Sequence, residues 1–461
     1  MAVGRVNGLL GQSEAERILK RALSLSEADE TEAALSVFNE SLTRFAHNVI
    51  HQNVAETDTA LEVRAAFGRR VGAASTNDLS PLGVERAVRV ACEMARHLPE
   101  RPDWPGLASP QSLSEVAAFD EAVAAMTPEA RARAVGDICG AARDEKLWAS
   151  GAFSTAQSEY AVMNSNGLLA YAPGTQTDLT FVIERPGGDS SSYAHAAGWR
   201  LAQIDFESLK RAALERAHMA RRPRHVKACE YPVVLEPYAV LTLLEAMVED
   251  GMGALAVQEG RSWMNDRFGR PCLSPRLTLH DDALDPDGFP RAFDCEGVPK
   301  QRVPIVVEGV PTSPVYDRLT AAREPGRAST GHAQPYDDDW DGPLPENLCL
   351  RPGDQTVEQM IRAVDRGLYV TRFWYVRETT AHDAGVTGTT RDGVWWIERG
   401  ELAYPVTNMR FDQDMVEALR PERVRGVGRE RATLSGLCGV HRLPALALDG
   451  FRFIDVDGEE E

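Results

Sequence analysis

From Glu30 the chain reads ETEAALSVFNESLTRFAHNVIHQNVAETDTALEVRAAFGRRVGAAST, with apolar residues at alternate positions and short polar breaks. A period of two puts successive side chains on opposite faces of an extended backbone, so this stretch predicts antiparallel strands with one face buried. Helical signals flank it. Ser13 followed by Glu16 forms a capping box that opens a helix over SEAERILKRALSLS. Ser80-Pro81 opens a second helix with proline at its first position, its apolar face carrying Leu82, Val88, Ala91, Ala95 and Leu98.

The Pro-rich stretch RPDWPGLASPQS is a connection. SLSEVAAFDEAVAAM and TPEARARAVGDICGAARDE read as helices. Strands return over Leu147–Glu184, with Asn166-Gly167 as a hairpin turn, and SSSYAHAAGWRLAQI reads as a further strand. Asp205 caps the helix FESLKRAALERAHMA. The basic run Arg221–His225 marks a boundary. It divides an α+β domain with an antiparallel sheet and helices, residues 1–225, from a Gly-, Pro- and Asp-rich, mostly β domain, residues 226–461.

A net charge of −19 argues against nucleic-acid binding, which needs a surplus of Lys and Arg, and against adhesion to anionic membranes. No run of about 20 apolar residues offers a membrane span, and the N-terminal residues lack the apolar core of a signal peptide. Seven scattered cysteines, none in a CxxC or zinc-knuckle spacing, imply a reduced cytoplasmic protein.

Several local motifs fail on chemistry. GMGALA (Gly251, Gly253, Ala256) follows a helix, whereas a dinucleotide fingerprint needs a preceding strand. DDALDPDGF would place Ala283, which has no side-chain oxygen, at the first ligand position of a calcium loop, so a Pro-Asp-Gly turn is the better reading. YDDDWDG, Tyr336 to Gly342, is dense in carboxylates but reads as an exposed acidic loop. STGHA sets hydroxyls beside His332 without a nucleophile elbow.

LTLLEAMVEDGM, Leu241 to Met252, is an apolar helix carrying Glu245 and Glu249 four apart, usually the mark of a solvated face. Taken with RFAHNVIHQNV, FDCEGVP, REPGRASTGHA, RGLYVTRF and VTGTTRDGVWWIERGELAYPVTNMRF, it resembles the TldD/PmbA family of two-subunit TldD/TldE metallopeptidases. The similarity runs from about residue 13 to RLPALALDGFRF. Its most specific block, Val386–Phe411, is closer to the TldE (PmbA-like) side.

In that family the catalytic subunit carries HExxxH on the matching helix. Two histidines and a later cysteine bind zinc, and the glutamate is the general base. Aligned on the glutamate, Glu245 takes the base position, Leu244 that of the first histidine and Glu249 that of the second; no histidine lies between Lys227 and Leu279. Positions five apart on a helix differ by about 140° and positions four apart by about 40°, so the two glutamates share a face that the motif's histidines do not. Leucine cannot ligate, and a zinc hydrolase uses about three protein ligands. Cys438 lies near the expected cysteine ligand, with His441 three residues on, and reads as a small buried cysteine.

The resemblance implies a barrel-like antiparallel sheet in the second domain with the Leu241 helix packed into it. It further implies a TldE-like subunit with no metal of its own and no catalytic residue. Such a chain would support a TldD-like, zinc-bearing partner in a heterodimer that cleaves peptides. Peptides can bind by strand addition, and the alternation in GLYVTRF points to Tyr369, Thr371 and Phe373 as substrate-facing residues. Three alternatives stay open: a hydrolase acting through His332, Cys438 and Glu245; a homodimeric peptide-binding scaffold; and recruitment to trimming a precursor or carrier in specialised metabolism.

Overall fold

The structure, a computed structural model, describes residues 8–188, 190–249, 251–335 and 342–455. The acidic run at 336–341 lies outside the described residues.

The alternating segment forms the long strands β1 (Glu30–Ala46), β2 (Val49–Phe67) and β3 (Arg70–Thr76). They join β4 (Trp148–Asn164), β5 (Leu169–Glu184) and β6 (Ser191–Gly198) in one antiparallel sheet of order β3-β2-β1-β4-β5-β6. Register assigns the faces. Leu35 pairs with Leu61 and Ala161, and Thr43 with Phe153, so these side chains share one side. Helices α1 (Gln12–Leu25) and α2 (Pro81–His97) cover one end of that side. Past the short α3 (Glu121–Ala124), α4 (Pro128–Asp144) and α5 (Phe206–Met219) cover the other end. The opposite face, with Ala34 and Val162, packs on Phe293 and Val298 of the second half.

The second half opens with β7 (Glu230–Leu235) and α6 (Pro237–Glu249) and continues through β8 (Leu279–Asp281), β9 (Val303–Val307), β10 (Val310–Pro311) and β11 (Leu348–Leu350). Then come β12 (Arg366–Val370), β13 (Phe373–Thr380), β14 (Gly385–Thr390), β15 (Val394–Glu398), β16 (Glu401–Pro405), β17 (Arg410–Asp414), β18 (Val424–Ser435) and β19 (Val440–Ile454). Most pairs are antiparallel; β7/β12 and β11/β19 are parallel. The sheet is mostly antiparallel, as expected, but among the described residues it does not close into a barrel. It branches at β19, which pairs with β7, β11, β17 and β18, and β10 and β16 remain at the ends of the main path. The branch follows from a bend. The β19/β7 register shifts between Leu448 and Phe451, and Gly450 there sits at φ 70°, a left-handed conformation that glycine adopts without penalty.

Local signals held where no tertiary partner competed. Ser80 and Asp205 accept from Gly83 N (3.2 Å) and Ser208 N (3.0 Å) as helix caps. The Ser13 capping box does not form. The helix starts one residue earlier, and the buried Glu159 of β4 accepts from Leu10 N (2.6 Å) and Gly11 N (3.0 Å), placing an anion at the helix N-terminus. The helix expected over Ser112–Met126 shrinks to α3. Ala118 O and Asp120 N bond Thr175 of β5, which commits that backbone to an extended path. On α2, Val88, Ala91 and Ala95 are buried but Leu82 and Leu98 are exposed.

Two glycine substitutions separate these effects. Gly450→Ala, strained by its φ and directed at Arg423, should lower the urea midpoint by the equivalent of about 1–2 kcal/mol. Gly136→Ala, within α4 and facing open space, should raise it by up to about 1 kcal/mol.

Candidate functional site

Helix α6 is apolar on nearly every side, the composition of a helix buried all round. Trp263 Nε1 donates to Met247 O (3.0 Å) near its C-terminal end. Leu244, at the position of a first metal-binding histidine, is buried against Met247, Trp263, Leu277 and Leu446. The glutamates do not form a solvated face. Glu249 is exposed, but Glu245 is buried. Its Oε1 accepts from the backbone N–H of Leu437 and, at 3.4 Å, of Cys438.

Glu245 therefore caps the β18–β19 loop. A Cβ at Gly436 would lie 1.9 Å from Glu245 Oε1, so glycine is what lets the carboxylate reach the loop. Burial raises the Glu245 carboxyl above its ordinary value, against the two backbone bonds that lower it, and Glu249 adds to the rise.

Cys438 is half-buried, not buried as expected, with Sγ 3.9 Å from Glu249 Oε1. Burial, then Glu249 and Glu245, push its thiol well above the usual range, which keeps it protonated and a poor ligand or nucleophile. The donors gathered here are one neutral thiol, one exposed carboxylate and one carboxylate engaged by a loop. They do not fit the set of about three protein ligands that zinc requires.

A buried polar cluster lies nearby. His332 Nε2 bonds Asp281 Oδ1 (2.9 Å), and its Nδ1 bonds Thr330 Oγ1 (2.9 Å), not Ser329. Asp281 Oδ2 accepts from Asn347 N (2.6 Å). Lys300 Nζ donates to Glu346 Oε2 (2.8 Å). Burial alone would raise Glu346, but Lys300 and Arg291 beside it hold the carboxyl down to about 2. His441 accepts from Leu348 N through Nδ1 (3.1 Å), and burial lowers the ring to about 4. The structure thus brings Cys438 to Glu245 and Glu249, while His332 is fully buried with both ring nitrogens engaged elsewhere.

The GLYVTRF residues separate. The strand is interrupted after Val370, because β12 pairs with β7 and β15 whereas β13 pairs with β14. Tyr369 packs on Trp395, its hydroxyl donating to Glu236, and Phe373 packs on Phe411 and Phe451. Thr371 alone lines an open cleft of about 720 Å³ between the halves, with Tyr193, His195, Glu236 and Tyr238. In that cleft His195 Nε2 lies 3.0 Å from both Asp178 Oδ2 and Ser435 Oγ, and Ser435 donates to Asp178. These partners are 17 and 240 residues from His195, and no sequence motif joins them.

The rejected motifs have structural roles. Gly253 N-caps a short helix after α6, and a Cβ there would strike Pro343 O at 2.1 Å. Gly288 N bonds Asp285 O (3.0 Å) in the Pro-Asp-Gly turn.

Residues 228–454 match the PmbA/TldA metallopeptidase C-terminal domain, and residues 32–95 match PmbA/TldA metallopeptidase domain 1. The chain belongs to the PmbA/TldD metallopeptidase family. Over 468 aligned residues it is 25% identical to Metalloprotease PmbA of Escherichia coli O157:H7, covering 96% of this chain and 98% of that protein. A metalloprotease of Methanothermobacter thermautotrophicus is 25% identical over 290 residues, 61% of this chain and 63% of the relative. The fold matches that of TldE from Thermococcus kodakarensis with a TM-score of 0.86 at 19% identity, covering 95% of this chain and 99% of that one.

The Glu245 geometry has a pH signature. Its raised folded-state value means the folded chain holds the proton more tightly than the unfolded chain. That stabilisation is present below the unfolded value and lost as pH rises through the folded one. Glu245→Gln keeps an acceptor for the loop and removes the charge, so its stability relative to the parent should increase with pH across that window. Glu245→Ala should lose about 1–3 kcal/mol. Urea titrations from pH 4 to 8 read both.

Proposed function

We propose that this chain is the TldE-like, non-metal-binding subunit of a two-subunit cytoplasmic metallopeptidase, and that peptide hydrolysis occurs on a TldD-like partner that carries zinc. The observation that carries this reading is the reassignment of α6. At the base position Glu245 holds a loop, and at the first ligand position Leu244 packs in the core. A general base must reach the proton it abstracts, and Glu245 is already engaged by two backbone N–H groups.

An exposed apolar surface beside the loop supports a partner role. Leu437, at the loop tip, is 86% exposed, and Trp374 and Tyr375 on β13 are 45% and 69% exposed. Arg372 and Arg391 stack on the Trp374 ring at 4.8 and 4.7 Å. Aromatic and Arg anchors of this kind lead protein interfaces, while rim charges mainly tune encounter. Among the described residues no helix is long and apolar enough to cross a membrane.

Two measurements test the proposal. Purified alone, the chain should hold no stoichiometric zinc and cleave no unfolded peptide; about one tightly held zinc per chain would overturn the reading. Co-expressed with a TldD-like protein bearing HExxxH, it should co-purify as a heterodimer stable at high salt, and Glu245→Gln in that complex should leave peptidase activity nearly intact. A loss of about a thousandfold would make Glu245 catalytic. Trp374→Glu with Leu437→Glu should release the partner.

A further inference from the structure

The first sheet ends in a strand that has only one neighbour. β3 pairs with β2 and closes the order at that side. Among the described residues no backbone bond from outside the sheet reaches residues 71–75. An open edge of this kind is a template for another extended chain. Proteins usually blunt such edges with charge or proline; here Arg70 opens the strand and α2 packs on one face at Gly72, but Val71, Gly72, Ala73 and Ala74 carry neither along its centre.

A cavity of about 690 Å³ straddles that edge. Register shows that it touches both faces of the sheet. Glu32 pairs with Arg64 and Arg64 with Ala73, which sets these three on one face together with Val71; Val63 and its partner Ala74 belong to the other. On the first face the cavity reaches Glu32, Arg64, Val71 and Glu296, and on the second it meets Ala74, Met94 and Leu98. Met94 and Leu98 are large apolar side chains left exposed beside the edge.

The polar side sets two carboxylates against Arg64, with Arg318 also acting on Glu32. Arg64 Nη2 bonds Glu32 Oε1 (2.6 Å) and Glu296 Oε1 (3.0 Å). The second oxygen of each carboxylate, Glu32 Oε2 and Glu296 Oε2, is buried without a hydrogen-bond partner, and both residues are more than nine-tenths buried. Arg64 bonds only one oxygen of each carboxylate, so the two second oxygens keep acceptor capacity for a further cation. Burial, with Glu296 adding to it and Arg64 opposing it, raises the Glu32 carboxyl to about 7.

We propose that the open edge of β3 binds an extended peptide by strand addition, with a lysine or arginine side chain entering the slot at Glu32 and Glu296 and apolar neighbours resting on Met94 and Leu98. The alternation of an extended chain supplies this pattern, since successive side chains fall on opposite faces. Glu32 lies three strand spacings from an added strand, about 14 Å, so the cation must sit on a fully extended stem and be met by carboxylates that lean toward the edge. This goes beyond the partner-subunit reading and does not depend on it, because the site belongs to this chain alone.

The test uses the full-length chain without a partner and a fluorescein-labelled nonapeptide of alternating valine and lysine, followed by anisotropy. Saturable micromolar binding is expected. Replacing the lysines with norleucine should weaken it about tenfold or more, and replacing them with glutamate should abolish it. N-methylation of alternate peptide amides should abolish binding in one of the two registers and spare it in the other. Glu296→Gln should erase the preference for lysine over norleucine, and Met94→Asp, an exposed substitution, should weaken both peptides. Absence of binding, equal binding of the glutamate peptide, or indifference to both N-methylated registers would overturn the proposal. So would a concentration-dependent homodimer that Met94→Asp dissolves, which would assign the edge to a second copy of the chain.

Discussion

The second half of the molecule depends on one strand. β19 pairs with β18 along its first part, touches β11 at Arg442, runs beside β7 through Leu446–Leu448 and again at Phe451–Arg452, and reaches β17 at Phe453–Ile454. Four partners on a single strand require a bend, and Gly450 with its register shift provides it. Against this branched sheet packs α6, the longest helix among the described residues of the region, buried almost completely. Whatever α6 carries is therefore positioned by β19 and by the loop between β18 and β19.

That dependence explains how the helix acquired its present arrangement. A carboxylate projecting from a buried helix needs either a metal, a cation or backbone donors to offset desolvation. Glu245 meets the N–H groups of the β18–β19 loop, and Gly436 clears the space. Glu245 thereby fastens the loop, and the tip of that loop displays Leu437. The buried carboxylate and the exposed loop tip are thus joined by one contact.

The two halves meet through polar bonds as well as apolar packing. Tyr160 donates to Cys295 O (2.9 Å), Arg64 to Glu296, and Ser435 joins the Asp178–His195 pair. Each lies on the sheet face opposite the helices, where the period-two pattern turns polar. The part of this face that a simple alternation rule would give to solvent is here an interface, which fixes the register of such long strands: a slip by one residue would move every one of these groups to the helix side.

By itself the sequence determined the strands from Glu30 to Thr76, the caps at Ser80 and Asp205, the α+β class and the lack of histidine around Glu245, because periodicity, capping and ligand chemistry are local properties. Tertiary structure alone decided the rest. It replaced the Ser13 capping box by bonds from Leu10 and Gly11 to Glu159, kept Ser112–Phe119 out of a helix as Ala118 and Asp120 bonded Thr175, and left the second sheet branched instead of closed. It split Tyr369, Thr371 and Phe373 among two cores and a cleft, and buried Glu245 while exposing Glu249. The physical reason is common to all of them. Each outcome turns on which distant backbone or side-chain group is available to satisfy a buried polar atom, and that availability exists only once the chain has folded.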